Sequence, residues 1–116
     1  MKKYTYLIFL SVFLISCTPT KGLYSWSNYE EASYNYLKKS DEKSIDKLFN
    51  EYKLVINNQK GTRKVTPPGV SADYGFLLIQ KGDLIKGKEY LKKEILLYPE
   101  SKIFIDRILK LVENEK

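Results

Sequence analysis

Ile45, Leu48, Phe49, Tyr52, Val55 and Ile56 follow one another at spacings of 3, 1, 3, 3 and 1. This is the period of an α-helix with a single apolar face, and Lys43, Lys47, Glu51 and Lys53 fall mostly away from that face. No convincing period-two stretch occurs downstream of residue 22, so strands are not expected. The chain is therefore predicted to be all-α, its helices covering one another's apolar stripes. Its 116 residues make one modest domain, and its single cysteine rules out an internal disulfide.

Five helices are expected. The first runs over 28–38, begun by Ser27 or Asn28 with Glu30 or Glu31 completing a capping box, and with Tyr29, Tyr36 and Leu37 on its inner side. Ser40-Asp41-Glu42 opens the second, which carries the periodic stripe to about residue 60, where Gly61 reads as a natural stop before Pro67-Pro68. The third, over 70–81, is apolar nearly all round: Val70, Tyr74, Leu77 and Leu78 face one way, Ala72, Phe76 and Ile79 another. Such a helix belongs in the middle of a domain. Gly82-Asp83 turns the chain into a fourth helix, over 84–97, ended by Pro99. Ser101 caps a fifth bearing Phe104, Ile105, Ile108, Leu109, Leu111 and Val112. The expected core is Leu48, Phe49, Tyr52, Tyr74, Leu77, Leu78, Leu91 and Ile108, with Phe104 beside it.

Residues 68–101 form a 34-residue unit whose spacing resembles one tetratricopeptide repeat. Tyr74-Gly75 supplies the glycine after a large residue in the first helix. Gly87 supplies the small residue where the two helices cross, Leu91 the large apolar residue that follows, and Pro99 the closing proline. Two positions depart from that pattern: Ser71 stands where a bulky aromatic is usual, and Glu94 where alanine is usual. The resemblance implies antiparallel helical hairpins. Helices over 28–38 and 41–60 would form a degenerate earlier unit, and 102–114 a capping helix.

Upstream, Met1-Lys2-Lys3 precedes an uncharged, largely apolar run of about twelve residues, too short to span a bilayer, which takes about 20. A charged start and a short apolar core make a secretory signal peptide. The run ends in Leu14-Ile15-Ser16-Cys17, which resembles a bacterial lipobox. That resemblance implies a removed signal over 1–16, a lipidated Cys17 with a tether over 17–22, and a helical domain over 23–116. Thr18, in place of the aspartate that favours inner-membrane retention, implies an outer-membrane anchor with the domain facing the periplasm.

Leu23-Tyr24-Ser25-Trp26-Ser27-Asn28-Tyr29-Glu30, Pro67-Pro68-Gly69-Val70, Asp73-Tyr74-Gly75-Phe76-Leu77-Leu78, Tyr98-Pro99-Glu100-Ser101 and Phe104-Ile105-Asp106-Arg107 occur in this order. Together they resemble a family of small bacterial lipoproteins described as domain of unknown function 4810. That family carries no assigned activity, so no catalytic residue follows from it. Its members are encoded beside other lipoproteins, one resembling the curli-export pore, which implies a shared envelope assembly and another envelope lipoprotein as partner.

The chain has no histidine, which removes imidazole-based acid–base catalysis and most zinc sites. The acids Asp41, Glu42 and Asp46 cluster at a helix start, where the dipole already favours them. No glycine-rich phosphate loop has the required spacing. Neither an enzyme nor a cofactor, metal or small-molecule substrate is expected. With Lys2 and Lys3 removed, 18 cations remain against 14 acids, a charge of +4 that does not imply nucleic acid.

Binding is the expected class, because eight tyrosines, three phenylalanines and Trp26 remain after cleavage and such residues anchor interfaces. Tyr24, Trp26 and Tyr29 are the expected partner contact, along with the 70–81 helix. Tyr24 and Trp26 can cover the helices, touch the membrane surface or meet a partner. The rival is a basic face, with eight cations against four acids between 38 and 64 (Lys38, Lys39, Lys43, Lys47, Lys53, Lys60, Arg63 and Lys64). Such a face suits anionic lipid or peptidoglycan. Replacing Cys17 with serine is expected to abolish palmitate labelling and release the protein from membranes. Unchanged labelling and fractionation would refute the anchor.

Overall fold

The computed structural model describes Met1, Tyr4 and residues 20–114. Cys17, and all of the expected signal segment except Met1 and Tyr4, lie outside the described residues. Over residues 20–114 the chain is all-α. It comprises α1 (Tyr29–Lys39), α2 (Glu42–Asn57), α3 (Val70–Gln80), α4 (Leu84–Leu97), a 3₁₀ turn (Pro99–Ser101) and α5 (Lys102–Asn114), with no strand.

Local chemistry sets two of the helix starts. The Asp41 carboxylate accepts the Ser44 amide at 2.7 Å and opens α2, and the Asp83 carboxylate accepts the Lys86 amide at 3.2 Å and opens α4. The other two expected caps are replaced. Asn28 makes no side-chain cap for α1; its amide group donates to Glu31 Oε2, and its backbone N–H donates to Glu51 Oε2 on α2, both at 3.0 Å. A contact between helices thus does the work expected of a local box. The Ser101 hydroxyl donates back to the Tyr98 carbonyl at 2.7 Å and tightens the 3₁₀ turn, so it does not cap α5. Helix α2 stops at Asn57, and Gly61 serves the crossing described below rather than a helix end.

Consecutive helices pack on one another, α1 on α2, α2 on α3, α3 on α4 and α4 on α5. Short turns join α1 to α2 and α3 to α4, and a longer loop over 58–69 links the two pairs, an arrangement consistent with tetratricopeptide-like hairpins. The closest crossing is between α3 and α4. A Cβ on Gly75 would lie 2.7 Å from the Gly87 carbonyl oxygen and 3.0 Å from the Leu91 nitrogen, and a Cβ on Gly87 would lie 2.7 Å from the Gly75 oxygen. Only glycine lets the backbones approach this far.

One core group joins Ala32, Leu48, Tyr52, Val55, Ile56, Val70, Tyr74 and Leu78, with Phe49 and Leu77 partly buried against it. A second holds Ala72, Leu91 and Ile105, edged by Ile108. Two expected inward residues point out: Phe104 is 64% exposed and Leu37 75%. Both lie on the end helices of the stack, where one flank of the apolar stripe has no neighbour. On α5 the covered flank belongs to Ile105, which is fully buried.

The two departures from the repeat pattern are both inside. Ser71 and Glu94 are buried, and Glu94 Oε1 accepts the Gly69 amide at 2.6 Å. Gly69, the N-cap of α3, has no side chain with which to cap, and the α4 carboxylate satisfies its backbone amide across the interface.

Leu91→Ala is expected to cost about 2–5 kcal/mol, and Gly75→Ala about 1–3 kcal/mol through forced separation of α3 and α4. Lys43→Ala, on an exposed residue, should leave the stability within about 0.5 kcal/mol of the parent. Thermal melts followed by circular dichroism measure all three.

Candidate functional site

The segment before α1 is pinned to the loop after α2. The Thr62 amide donates to the Gly22 carbonyl and the Arg63 amide to the Leu23 carbonyl, each at 3.1 Å. The Gln59 side chain grips Ser25 from both sides, its Oε1 accepting the Ser25 amide at 2.9 Å and its Nε2 donating to the Ser25 carbonyl at 2.7 Å. Gly61 makes the crossing possible, since a Cβ there would overlap the Leu23 carbonyl and sit 2.5 Å from Tyr24 Cα.

Pinning this segment places Tyr24 against the loop after α2. Arg63 Nη1 donates to its hydroxyl at 2.9 Å and the guanidinium lies over its ring, 5.7 Å from the centroid. Its hydroxyl lies 3.5 Å from that of Tyr98, which donates to the Thr66 carbonyl at 2.7 Å. Burial, with Tyr24 next to it, pushes the Tyr98 phenol up to about 12. Tyr24 thus packs on the loop after α2, with the Arg63 guanidinium held against its ring and hydroxyl.

From Tyr24 a line of rings crosses the molecule. Tyr24 meets Trp26 at 6.4 Å between centroids, Trp26 meets Tyr29 at 5.8 Å, and Tyr29 meets Tyr52 at 5.2 Å. Tyr52 meets Tyr74 at 5.5 Å, and Tyr74 meets Tyr90 on α4 at 4.7 Å. The three aromatic residues singled out in the sequence are thus consecutive in this line. Trp26 stays 39% exposed, and Tyr29 is half-buried.

Beside Tyr29 a groove of about 230 Å³ opens between α1 and α3, with α2 as its floor. Tyr29, Ser33, Tyr36 and Leu37 line it from α1, Leu48 and Tyr52 from the floor, and Asp73, Phe76 and Leu77 from α3. The expected contact of Tyr29 with the 70–81 helix is brought together here; Tyr24 is not part of it. Burial raises the Tyr52 phenol well above its usual range, helped by Tyr29, Asp73 and Tyr36 around it. Asp73 is exposed by surface area, yet enough protein crowds it that desolvation lifts its carboxyl above the ordinary 3.8. Asp73 went unnoticed in the sequence, although its signal was there: it is the one charged residue in an 11-residue helix that is otherwise mostly apolar.

A larger cavity of about 490 Å³ lies on another flank of α2, lined by Asp46, Phe49, Asn50, Lys53, Leu78, Lys81 and Asp83. Its charges are two acids and two lysines with a single ring, a solvated surface rather than a recognition site. The basic residues do not gather into one unbroken face either. Lys47 pairs with Glu31 at 3.5 Å, and Lys39, Lys43 and Lys47 share their hollow with Glu31 and Asp41. Among the described residues, no group of three or more acids and cysteines could hold a metal ion, and no helix is long and apolar enough to cross a membrane.

Fold and groove together define a small protein of helical hairpins with an aromatic-lined groove between α1 and α3. Residues 23–108 match the model of a domain of unknown function, DUF4810, and the chain belongs to that family. The match runs from the pinned Leu23 to Ile108 and so takes in every wall of the groove. No curated protein and no solved structure matches the chain.

An acid whose folded-state pKa is raised binds its proton more tightly in the native state, so its contribution to stability falls as pH climbs above the ordinary value. At neutral pH Asp73 therefore costs stability. Asp73→Asn is expected to raise the melting temperature at pH 7 by about 1–3 °C. The gain should shrink on acidification and vanish below about pH 4, where the parent carboxyl is protonated too.

Proposed function

We propose that this chain is a lipid-anchored adaptor of the cell envelope. Cys17 holds it to the outer membrane with the domain facing the periplasm, and the helical domain docks a segment of another envelope protein. The anchor is supported by the sequence alone: a charged start, a short apolar core and the lipobox-like Leu14-Ile15-Ser16-Cys17. A stable anchor needs more than one acyl chain, and bacterial lipoproteins of this kind carry two or three.

The observation that carries the docking role is the groove between α1 and α3. Leu37 stands 75% exposed on its lip and Phe76 42% exposed on its wall, over a floor of Tyr52. First helices of successive hairpins commonly line the face on which repeat proteins bind peptides. Catalysis is not proposed, because the groove holds one carboxylate and no second acid, base or nucleophilic pair to move a proton. The basic-face alternative draws less support, since Arg63 is engaged with Tyr24 and Lys47 with Glu31.

A photo-crosslinking residue in place of Leu37, activated in intact cells, is expected to capture one reproducible protein. Phe76→Ala, in a variant that still melts cooperatively, should abolish the adduct, and Trp26→Ala should weaken it. Recovery of glycan or lipid alone, or no adduct, would overturn the adaptor reading.

A further inference from the structure

We infer that the groove between α1 and α3 accepts a lysine or arginine side chain of the docked polypeptide, received by the Asp73 carboxylate among the rings of Tyr29, Tyr36, Tyr52 and Phe76. This rests on the docking reading above and specifies what the docked segment must carry.

Asp73 is the one charged residue among those lining the groove. No ion pair reaches it, although the chain holds 20 Lys and Arg residues and four other acids of the described residues have cationic partners. No side-chain hydrogen bond reaches its carboxylate either, and the one charge effect it shows is on the neutral Tyr52 phenol at the groove floor. The surrounding protein nevertheless strips enough water to raise its carboxyl. The first turn of α3 favours this acid, but no cation offsets the water it loses, and a cation entering the groove supplies that interaction.

The walls suit the same ligand. The faces of tyrosine and phenylalanine rings carry negative potential and attract cations, more strongly where water is excluded. Four such rings line the same groove as the one carboxylate. A cavity of about 230 Å³ takes one long side chain and leaves a helix outside. The apolar lip, with Leu37 75% exposed, gives apolar neighbours of that side chain something to cover, which a free ammonium ion lacks. The charge of the whole chain is +6, so its long-range field repels cations. Recognition must come from contacts inside the groove.

The test is titration of the full-length chain, held in non-ionic detergent, with capped pentapeptides of sequence glycine-leucine-X-leucine-glycine. X is lysine, norleucine or glutamate, and binding is read from the Asp73 carboxyl and Tyr36 ring resonances. The lysine peptide is expected to bind at least tenfold more tightly than the norleucine peptide, with the glutamate peptide weakest. In Asp73→Asn the lysine preference should fall to within twofold, and Asp73→Glu should restore part of it. Equal binding of lysine and norleucine peptides, no saturable binding by any of them, or a preference that survives in Asp73→Asn would overturn the inference. So would a dimer of this chain that occupies the groove and is unaffected by the lysine peptide. A protein crosslinked from Leu37 without lysine preference would leave the adaptor reading standing and remove this one. Lysine preference without a crosslinked protein would remove the adaptor reading, and with it the docked polypeptide that this inference specifies.

Discussion

Tyr74 is where two hairpins become one body. Its ring lies 5.4 Å from Phe49 and 5.5 Å from Tyr52 on α2, and 4.7 Å from Tyr90 on α4. Edge and tilted ring contacts of this kind add stabilisation beyond the area they bury. The next residue is Gly75, whose missing side chain draws α3 against α4. Two adjacent positions thus fasten α3 in both directions, and nearly every buried residue of α3 follows from being held there. The groove depends on the same junction. Tyr52 leans on Tyr74 from one side and on Tyr29 from the other, so the floor is held in place by the joint between hairpins.

Ser71 and Glu94 show how a repeat pattern can be altered in concert. Ser71 lies one turn before Gly75 on α3, and Glu94 one turn after Tyr90 and Leu91 on α4, so helical register places them across the same interface. A bulky residue opposite a small one fills such a space in the usual repeat; here a small residue faces a longer, charged one. The exchange of volume leaves room for a carboxylate, and the carboxylate has a task. It satisfies the amide of Gly69, whose φ of 86° suits glycine and which carries no oxygen of its own for capping. The other Glu94 oxygen and the Ser71 hydroxyl are buried without partners, so this arrangement sacrifices two polar atoms to cap a helix in the centre of the fold.

The helices were legible because their signals are local. The stripe from Ile45 to Ile56, the Asp41 cap and the Gly82-Asp83 turn each act within a few residues. What escaped was decided between segments. Phe104 and Leu37 sit on apolar stripes, and a stripe alone does not say which of its flanks a neighbour will cover. Asn28 reads as a capping residue until Glu51, on another helix, takes its backbone amide. Tyr29 and the third helix were both recognisable as candidate contacts. The groove that unites them required knowing that α1 and α3 lie along the same side of α2. Gln59 gave no sign at all, because a side chain pairing with the backbone of Ser25 follows no periodic rule.

That grip has a mechanical meaning. The chain enters the fold at Gly22, and its first attachments are to Gln59, Thr62 and Arg63, beyond the end of α2. Tension arriving from upstream is divided among several hydrogen bonds to this loop and the guanidinium over Tyr24. Little of it reaches the first turn of α1. The helix that forms one wall of the groove is thereby mechanically separated from the point where the chain enters the fold, because the loop after α2 holds that entry first.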